Sequence, residues 1–317
     1  MSMLLLAGCG KSNTTQKADS PQNDGKKKIA IIVKGMENIF YQSVKAGADV
    51  AAKETGMGYY FTSSSAGETD INGQIDLVEN AIKQNVSGIV IAASDAKALV
   101  PVVEKAIAAG IPVVVIDSGL ETDKYVSFLA TDNIAATAAA AKAMAESLNR
   151  KGKVALVNFV AGAQGAIERE QSFRDTMAKY PDIKVLPTQY YDNDKQKAFV
   201  LAQEILATNP DLDGIFACNE PGTVSVGRAL KLANNKKVIE YGFDASDDIV
   251  SLIKDGYLKG TVVQMPYNMG YLGVKALADK INGKEVEKNK DTGFTLVTTE
   301  NIDRPDIQKA LYPLGKK

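Results

Sequence analysis

From Lys28 onward, short β-branched runs alternate with amphipathic helical stretches, and the chain runs through this alternation twice. Lys28–Val33, Tyr59–Ser63, Gly88–Ala92, Pro112–Ile116 and Val126–Ala130 read as buried strands, with helical periodicity over Tyr41–Thr55, Asn72–Gln84 and Lys97–Ala109 between them. A strand, a helix and a second strand in succession imply parallel pairing, because the helix returns the chain to the starting edge; such sheets are covered on both faces. The second series places strands at Lys153–Phe159, Ile183–Tyr191, Gly214–Ala217, Val238–Gly242 and Gly260–Gln264. Its helices fall near Ile134–Asn149, Glu168–Lys179, Lys195–Thr208, Thr223–Leu232 and Asp247–Lys254. The expected fold is α/β, with two doubly wound parallel-sheet halves and a seam near Thr131-Asp132-Asn133. A helix over Tyr267–Ile281 and a strand over Phe294–Val297 can close either sheet, so more than one crossing between halves is expected. Asp303 to Lys317 shows no element by this reading.

With 317 residues, 45% of them hydrophobic, the chain can fill two cores. Thirty-seven Lys and Arg against 38 Asp and Glu leave no basic face for nucleic acid. No apolar run approaches the roughly 20 residues a spanning helix needs. Histidine is absent, which removes the usual general base and the commonest metal ligand, so no catalytic residue, metal or cofactor is expected. Gly162-Ala163-Gln164-Gly165 follows a strand and precedes a helix but lacks the G-x-G-x-x-G spacing of a dinucleotide loop. Cys218 ends a buried strand with no base available and reads as a small core residue.

Leu6-Ala7-Gly8-Cys9 resembles a bacterial lipobox, in which the signal is cut before a cysteine that is then acylated. Residues 1–9 are then a lipoprotein signal and Cys9 the lipidation site. The apolar-poor segment 10–27 is read as a flexible tether.

In open parallel sheets, ligands bind beyond the carboxyl ends of the strands, where loops converge and helix N-termini point inward. Polar residues stand at nearly every such position: Lys34 to Asn38, Asp117-Ser118, Asp192-Asn193-Asp194, Asn219-Glu220, Asp244 and Gln264. Amides and carboxylates can bind vicinal hydroxyls bidentately, and Phe40 and Tyr41 offer faces for the C–H side of a sugar ring. Singly, each Asp or Asn also reads as the N-cap of the next helix, and the two aromatics as core.

Together with Gly110-Ile111-Pro112-Val113-Val114-Val115-Ile116-Asp117, Ala130-Thr131-Asp132-Asn133, Ile215-Phe216-Ala217-Cys218-Asn219-Glu220, Gly242-Phe243-Asp244 and Thr261-Val262-Val263-Gln264-Met265-Pro266, the run Asn38 to Gly47 resembles the ribose-type substrate-binding proteins of ABC importers, periplasmic binding protein class I. The similarity covers about residues 28–298. It implies two Rossmann-like domains joined by a multi-strand hinge, one lobe of 28–131 plus about 265–293 and the other of 132–264 plus about 294–317. The ligand then lies between them. Asn38, Phe40, Tyr41 and Asp117 are implied from the first domain, Asn193, Asn219 and Asp244 from the second, and Gln264 at a hinge crossing. Where ribose binders carry two arginines, this chain has Ser118 and, by position, Ile167, with Glu168 and Arg169 adjacent. Lys34, with Asp117 and Asp194, resembles receptors for the furanosyl signal autoinducer-2 instead. For an ordinary monosaccharide, an exposed lysine there contributes little. The reading is a monomeric, extracytoplasmic, lipid-anchored receptor that captures a monosaccharide or small polyol for a membrane permease. Lys34, Asn38, Phe40, Tyr41, Asp117, Ser118, Arg169, Asn193, Asp194, Asn219, Asp244 and Gln264 are its expected ligand residues.

Overall fold

Ile29, Ile31 and Val33 are buried on one face of the first strand and Ala30 and Ile32 on the other, the mark of a strand covered on both sides. The computed structural model describes residues 27–313 and 315; Cys9 and all of the tether except Lys27 lie outside these residues. In the first half, β1 (Lys28–Ile32), β2 (Gly58–Thr62), β3 (Gly88–Ile91), β4 (Val113–Ile116) and β5 (Ser127–Ala130) form a parallel sheet in the order β5-β4-β3-β1-β2. On one face, α1 (Ile39–Thr55) buries Val44 and Ala48. On the other, α2 (Ile71–Lys83) and α3 (Val100–Ala108) bury Val78 and Val103.

The second half opens with α4 (Asn133–Ser147) and β6 (Lys151–Asn158), and then α5 (Gln164–Met177) precedes β7 (Asp182–Val185) and β8 (Gln189–Tyr190). It continues with α6 (Lys195–Thr208), β9 (Gly214–Ala217), α7 (Glu220–Leu232), β10 (Ile239–Phe243), α8 (Asp247–Asp255) and β11 (Gly260–Gln264). From there α9 (Pro266–Ile281) returns to the first sheet, burying Met269, Val274 and Leu277 beside α1. Next, β12 (Asn289–Asp291) extends the first sheet alongside β5, and β13 (Phe294–Thr298) pairs antiparallel with β11 in the second. The chain thus crosses between sheets after β5, after β11 and after β12. Hydrogen bonds tie these crossings together: Thr292 N to Ala130 O (2.9 Å), Asp132 N to Asp291 Oδ1 (3.1 Å) and Asn268 Nδ2 to Thr292 O (3.5 Å).

Three elements differ from the sequence reading. The single strand expected over Ile183–Tyr191 is two, because Pro187 lies between β7 and β8 and has no N–H for a ladder. The strand β12 is wholly polar and exposed, held by backbone pairing, so no hydrophobic period announced it. Asp303 to Lys317, read without an element, contains α10 (Pro305–Leu311), which starts on a proline where no N–H is needed and buries Ile307 and Leu311 one turn apart.

Glu240 on β10 is fully buried, and neither carboxyl oxygen has a hydrogen-bond partner among the described residues. Gly227 of α7 leaves it room: an added Cβ there would stand 3.0 Å from Glu240 Oε2. Burial pushes this carboxyl well above the ordinary Glu range. The unfolded chain therefore ionises first as pH rises, and stability falls above its ordinary pKa. Glu240→Met is expected to stabilise the protein at pH 7 by about 1–3 kcal/mol and by less at pH 4. Melting curves at both pH values check this; an equal or negative shift at pH 7 contradicts it.

Candidate ligand-binding site

Each of the two sheets has one strand, β4 or β10, third in from the β12 or β13 edge, and each of these is followed directly by an aspartate. Asp117 and Asp244 both take left-handed backbone, with φ of 61° and 74°. Each donates its N–H to the next strand, Asp117 to Leu129 O (3.2 Å) and Asp244 to Val262 O (2.6 Å). This conformation costs a non-glycine residue roughly 1–3 kcal/mol and persists where the surroundings fix it. Here it turns a carboxylate from each lobe into one cavity.

On the first-lobe side, Lys34 follows β1 and its Nζ lies 3.1 Å from Asp117 Oδ2, with only 7% and 10% of the two side chains exposed. Tyr41 donates its hydroxyl to the same oxygen at 2.9 Å. Burial and the neighbouring Asp117 carboxylate raise the Tyr41 phenol well above its usual range, so it stays a donor. Its ring belongs to the core, and Phe40 meets it edge-on at 5.1 Å while also lining the cavity. Asn38 caps α1 by accepting from Phe40 N at 3.0 Å and donates to Glu68 Oε1 at 3.3 Å. The Ser118 hydroxyl lines the cavity and is buried with no partner among the described residues.

On the second-lobe side, Arg169 of α5 is 4% exposed. Its Nε donates to Asn133 Oδ1 (2.9 Å), its Nη1 to Cys218 O (2.6 Å), and the guanidinium carbon lies 4.0 Å from the Phe243 ring centroid. The expectation that Ile167 stands at the second arginine position is corrected: Ile167 is exposed, and the adjacent Arg169, also among the expected ligand residues, enters the cavity. Two residues along the helix shift the direction of a side chain by about 200°, enough to move it from solvent to cleft. Asp244 accepts from Gln264 Nε2 (2.6 Å) and from the Glu220 backbone N–H (2.8 Å). Burial raises its carboxyl, with Arg169 the leading influence the other way.

Not every expected residue reaches the cavity. Asp194 is an exposed cap of α6, accepting from Lys197 N. Asn193 accepts from Asn219 Nδ2 at 2.8 Å and so holds that amide from behind. Asn219 does line the cavity; its oxygen caps α7 and receives the hydroxyl of buried Tyr191. The Lys34 expectation also changes. It is a buried ion pair, so Lys34→Met leaves the Asp117 charge uncompensated and should weaken even a neutral sugar by roughly tenfold or more. Unchanged affinity by calorimetry would show that Asp117 needs no cation.

Glu68, in the loop between β2 and α2, and Phe159, just past β6, line the cavity and were missed. The rule that polar residues follow strand ends reaches Glu68 only through a longer loop. Burial pushes its carboxyl up, opposed chiefly by Lys34. The run Gly162 to Gly165 carries an interlobe contact in place of a dinucleotide loop: Ala96 N donates to Gly162 O at 3.1 Å, where a Cβ would strike Asp95 at 2.2 Å. Burial also raises the Cys218 thiol far above its usual value, against a nucleophilic role.

Residues 29–285 match the periplasmic binding protein domain family, and the chain belongs to that family. It is similar to the ribose import binding protein RbsB of Bacillus subtilis, 31% identical over 301 residues spanning 94% of this chain and 96% of that one. A solved ABC transporter solute-binding protein from Agrobacterium vitis with bound D-fucose superposes with a TM-score of 0.86 at 41% identity, covering 90% of this chain and 100% of that one. A carbohydrate transporter solute-binding protein from Agrobacterium radiobacter in complex with D-arabinose gives a TM-score of 0.87 at 34% identity, covering 91% and 100%.

Proposed function

We propose that this protein is an extracytoplasmic receptor that closes on a neutral monosaccharide or related polyol and presents it to the permease of an ABC importer, without catalysis. The observation that carries the reading is the convergence of Asp117 and Asp244, one from each lobe, on a cavity that also holds Arg169 and the Ser118 hydroxyl, which has no partner among the described residues. Hydroxyls bonded from both sides stabilise only the closed arrangement, so ligand and closure are coupled. The sugars in the related solved structures support the ligand class. The moving units in this reading are 28–131 with 265–293 and 132–264 with 294–317. Lys34 needs no furanosyl diol to explain it, since Asp117 already partners it.

A thermal-shift panel of pentoses, hexoses, polyols and autoinducer-2 tests the ligand class. A ligand at a hundred times its dissociation constant adds about 2.7 kcal/mol. A shift with a neutral sugar supports the reading, and a shift with autoinducer-2 alone replaces it. Lipid anchoring at Cys9 is part of the same proposal. Cys9→Ala with a complete signal is expected to leave the membrane fraction with its ligand affinity intact. Equal membrane retention of wild type and variant, with no fatty-acid label on either, contradicts the anchor.

A further inference from the structure

We infer that Glu68 is a specificity-determining residue, whose carboxylate accepts a hydrogen bond from one particular hydroxyl of the bound sugar at the first-lobe mouth of the cavity. The inference rests on the reading of the cavity as a sugar site. Three carboxylates face that cavity, and the protein satisfies them unequally. Asp117 has the Lys34 ammonium at 3.1 Å and the Tyr41 hydroxyl at 2.9 Å. Asp244 has the Gln264 amide at 2.6 Å and a backbone N–H at 2.8 Å. Glu68 has one long bond, 3.3 Å from Asn38 Nδ2, and no cation within 4.0 Å among the described residues.

A carboxylate offers about four acceptor sites, so most of Glu68's capacity is unused by the protein. Taking such a group partly out of water without partners is unfavourable, and a ligand hydroxyl placed there removes the penalty. Gly35 lies against its stem, where an added Cβ would be 3.6 Å from Glu68 Cγ. A sugar with a hydroxyl at this end is therefore favoured over its deoxy analogue, which leaves the carboxylate unpaired. Ligands carrying their own carboxylate or phosphate at this end meet like charge and are rejected.

The alternative is that Glu68 only positions Asn38 through the bond they share. Calorimetry on the full chain separates the two. D-ribose, D-arabinose, D-allose and D-fucose are titrated into wild type, and the tightest binder is followed by its monodeoxy analogues, against wild type, Glu68→Ala and Glu68→Gln. In wild type, one analogue is expected to bind roughly ten- to a hundredfold more weakly through loss of a bond to a charged acceptor. In Glu68→Ala the parent sugar should weaken to match and that discrimination should disappear, with Glu68→Gln intermediate. If Glu68→Ala weakens parent and all analogues equally, Glu68 acts through Asn38 and the inference fails; unchanged affinity also overturns it. Should wild type bind none of these four, the tightest binder of the pentose, hexose and polyol panel takes their place, and binding of none of that panel would refute the proposed function instead, a distinguishable result.

Discussion

Gly270→Leu is expected to cost about 3–5 kcal/mol, a large part of the 5–15 kcal/mol by which a domain is stable, and to leave little folded protein at 37 °C. Where α9 crosses α1, a Cβ at Gly270 would stand 1.8 Å from Val44 O, and one at Gly47 would stand 2.0 Å from Tyr267 O. Both obstacles are backbone, so no side chain can swing away. Helix propensity alone predicts the opposite, since a non-glycine residue favours the helix by up to about 1 kcal/mol. The clash decides the sign. Parting the helices would also expose Met269, Val274 and Leu277, which fasten the returning chain to the first sheet. Circular dichroism melting checks the expectation; a melting temperature within a degree or two of wild type contradicts this crossing.

Arg169→Met should abolish measurable sugar binding, at least about a hundredfold, while destabilising the protein by about 1–3 kcal/mol. The methionine keeps much of the apolar stem but removes the guanidinium that lies over Phe243 and donates to Asn133 Oδ1 and Cys218 O. It also takes away the leading influence that holds the Asp244 carboxyl down, so this carboxyl rises further and binding should fail first at acid pH. Arg169→Lys should not rescue, because one ammonium nitrogen cannot reproduce the spaced donors by which Nε reaches Asn133 Oδ1 while Nη1 reaches Cys218 O. Calorimetry at pH 5 and pH 7, beside a melting curve showing that the variant is folded, measures this; near-native affinity contradicts a ligand role for Arg169.

Most strands and helices are legible because β-branched runs and helical periods are local, and the aspartates at strand ends were found because parallel sheets place loops there. What escaped depends on pairing at a distance. No local pattern marks Asn289–Asp291 as a strand, since its three residues are polar and exposed and its partner β5 lies far away in the chain. The sheet that Phe294–Thr298 joins was open for the same reason. In the site, alignment by position misplaced the arginine because the direction taken along a helix, which two residues reverse, decides what enters a cleft. Lys34 read as a ligand residue for a furanosyl signal and as an exposed charge for an ordinary sugar, because nothing in the chain near it announces Asp117 as its partner. Asp194 read as a ligand because caps and ligands use the same residue types at the same place.

The most direct measurement is a titration of the purified protein with D-ribose, D-arabinose, D-allose and D-fucose, repeated on Asp117→Ala and Asp244→Ala. Wild type is expected to bind at least one of these sugars one to one. Each substitution should then weaken it by roughly ten- to a hundredfold without unfolding the protein, because each lobe supplies a charged acceptor. Heat from none of the sugars would contradict this prediction, and affinity unchanged in both variants would place the ligand elsewhere and contradict a sugar site between the lobes.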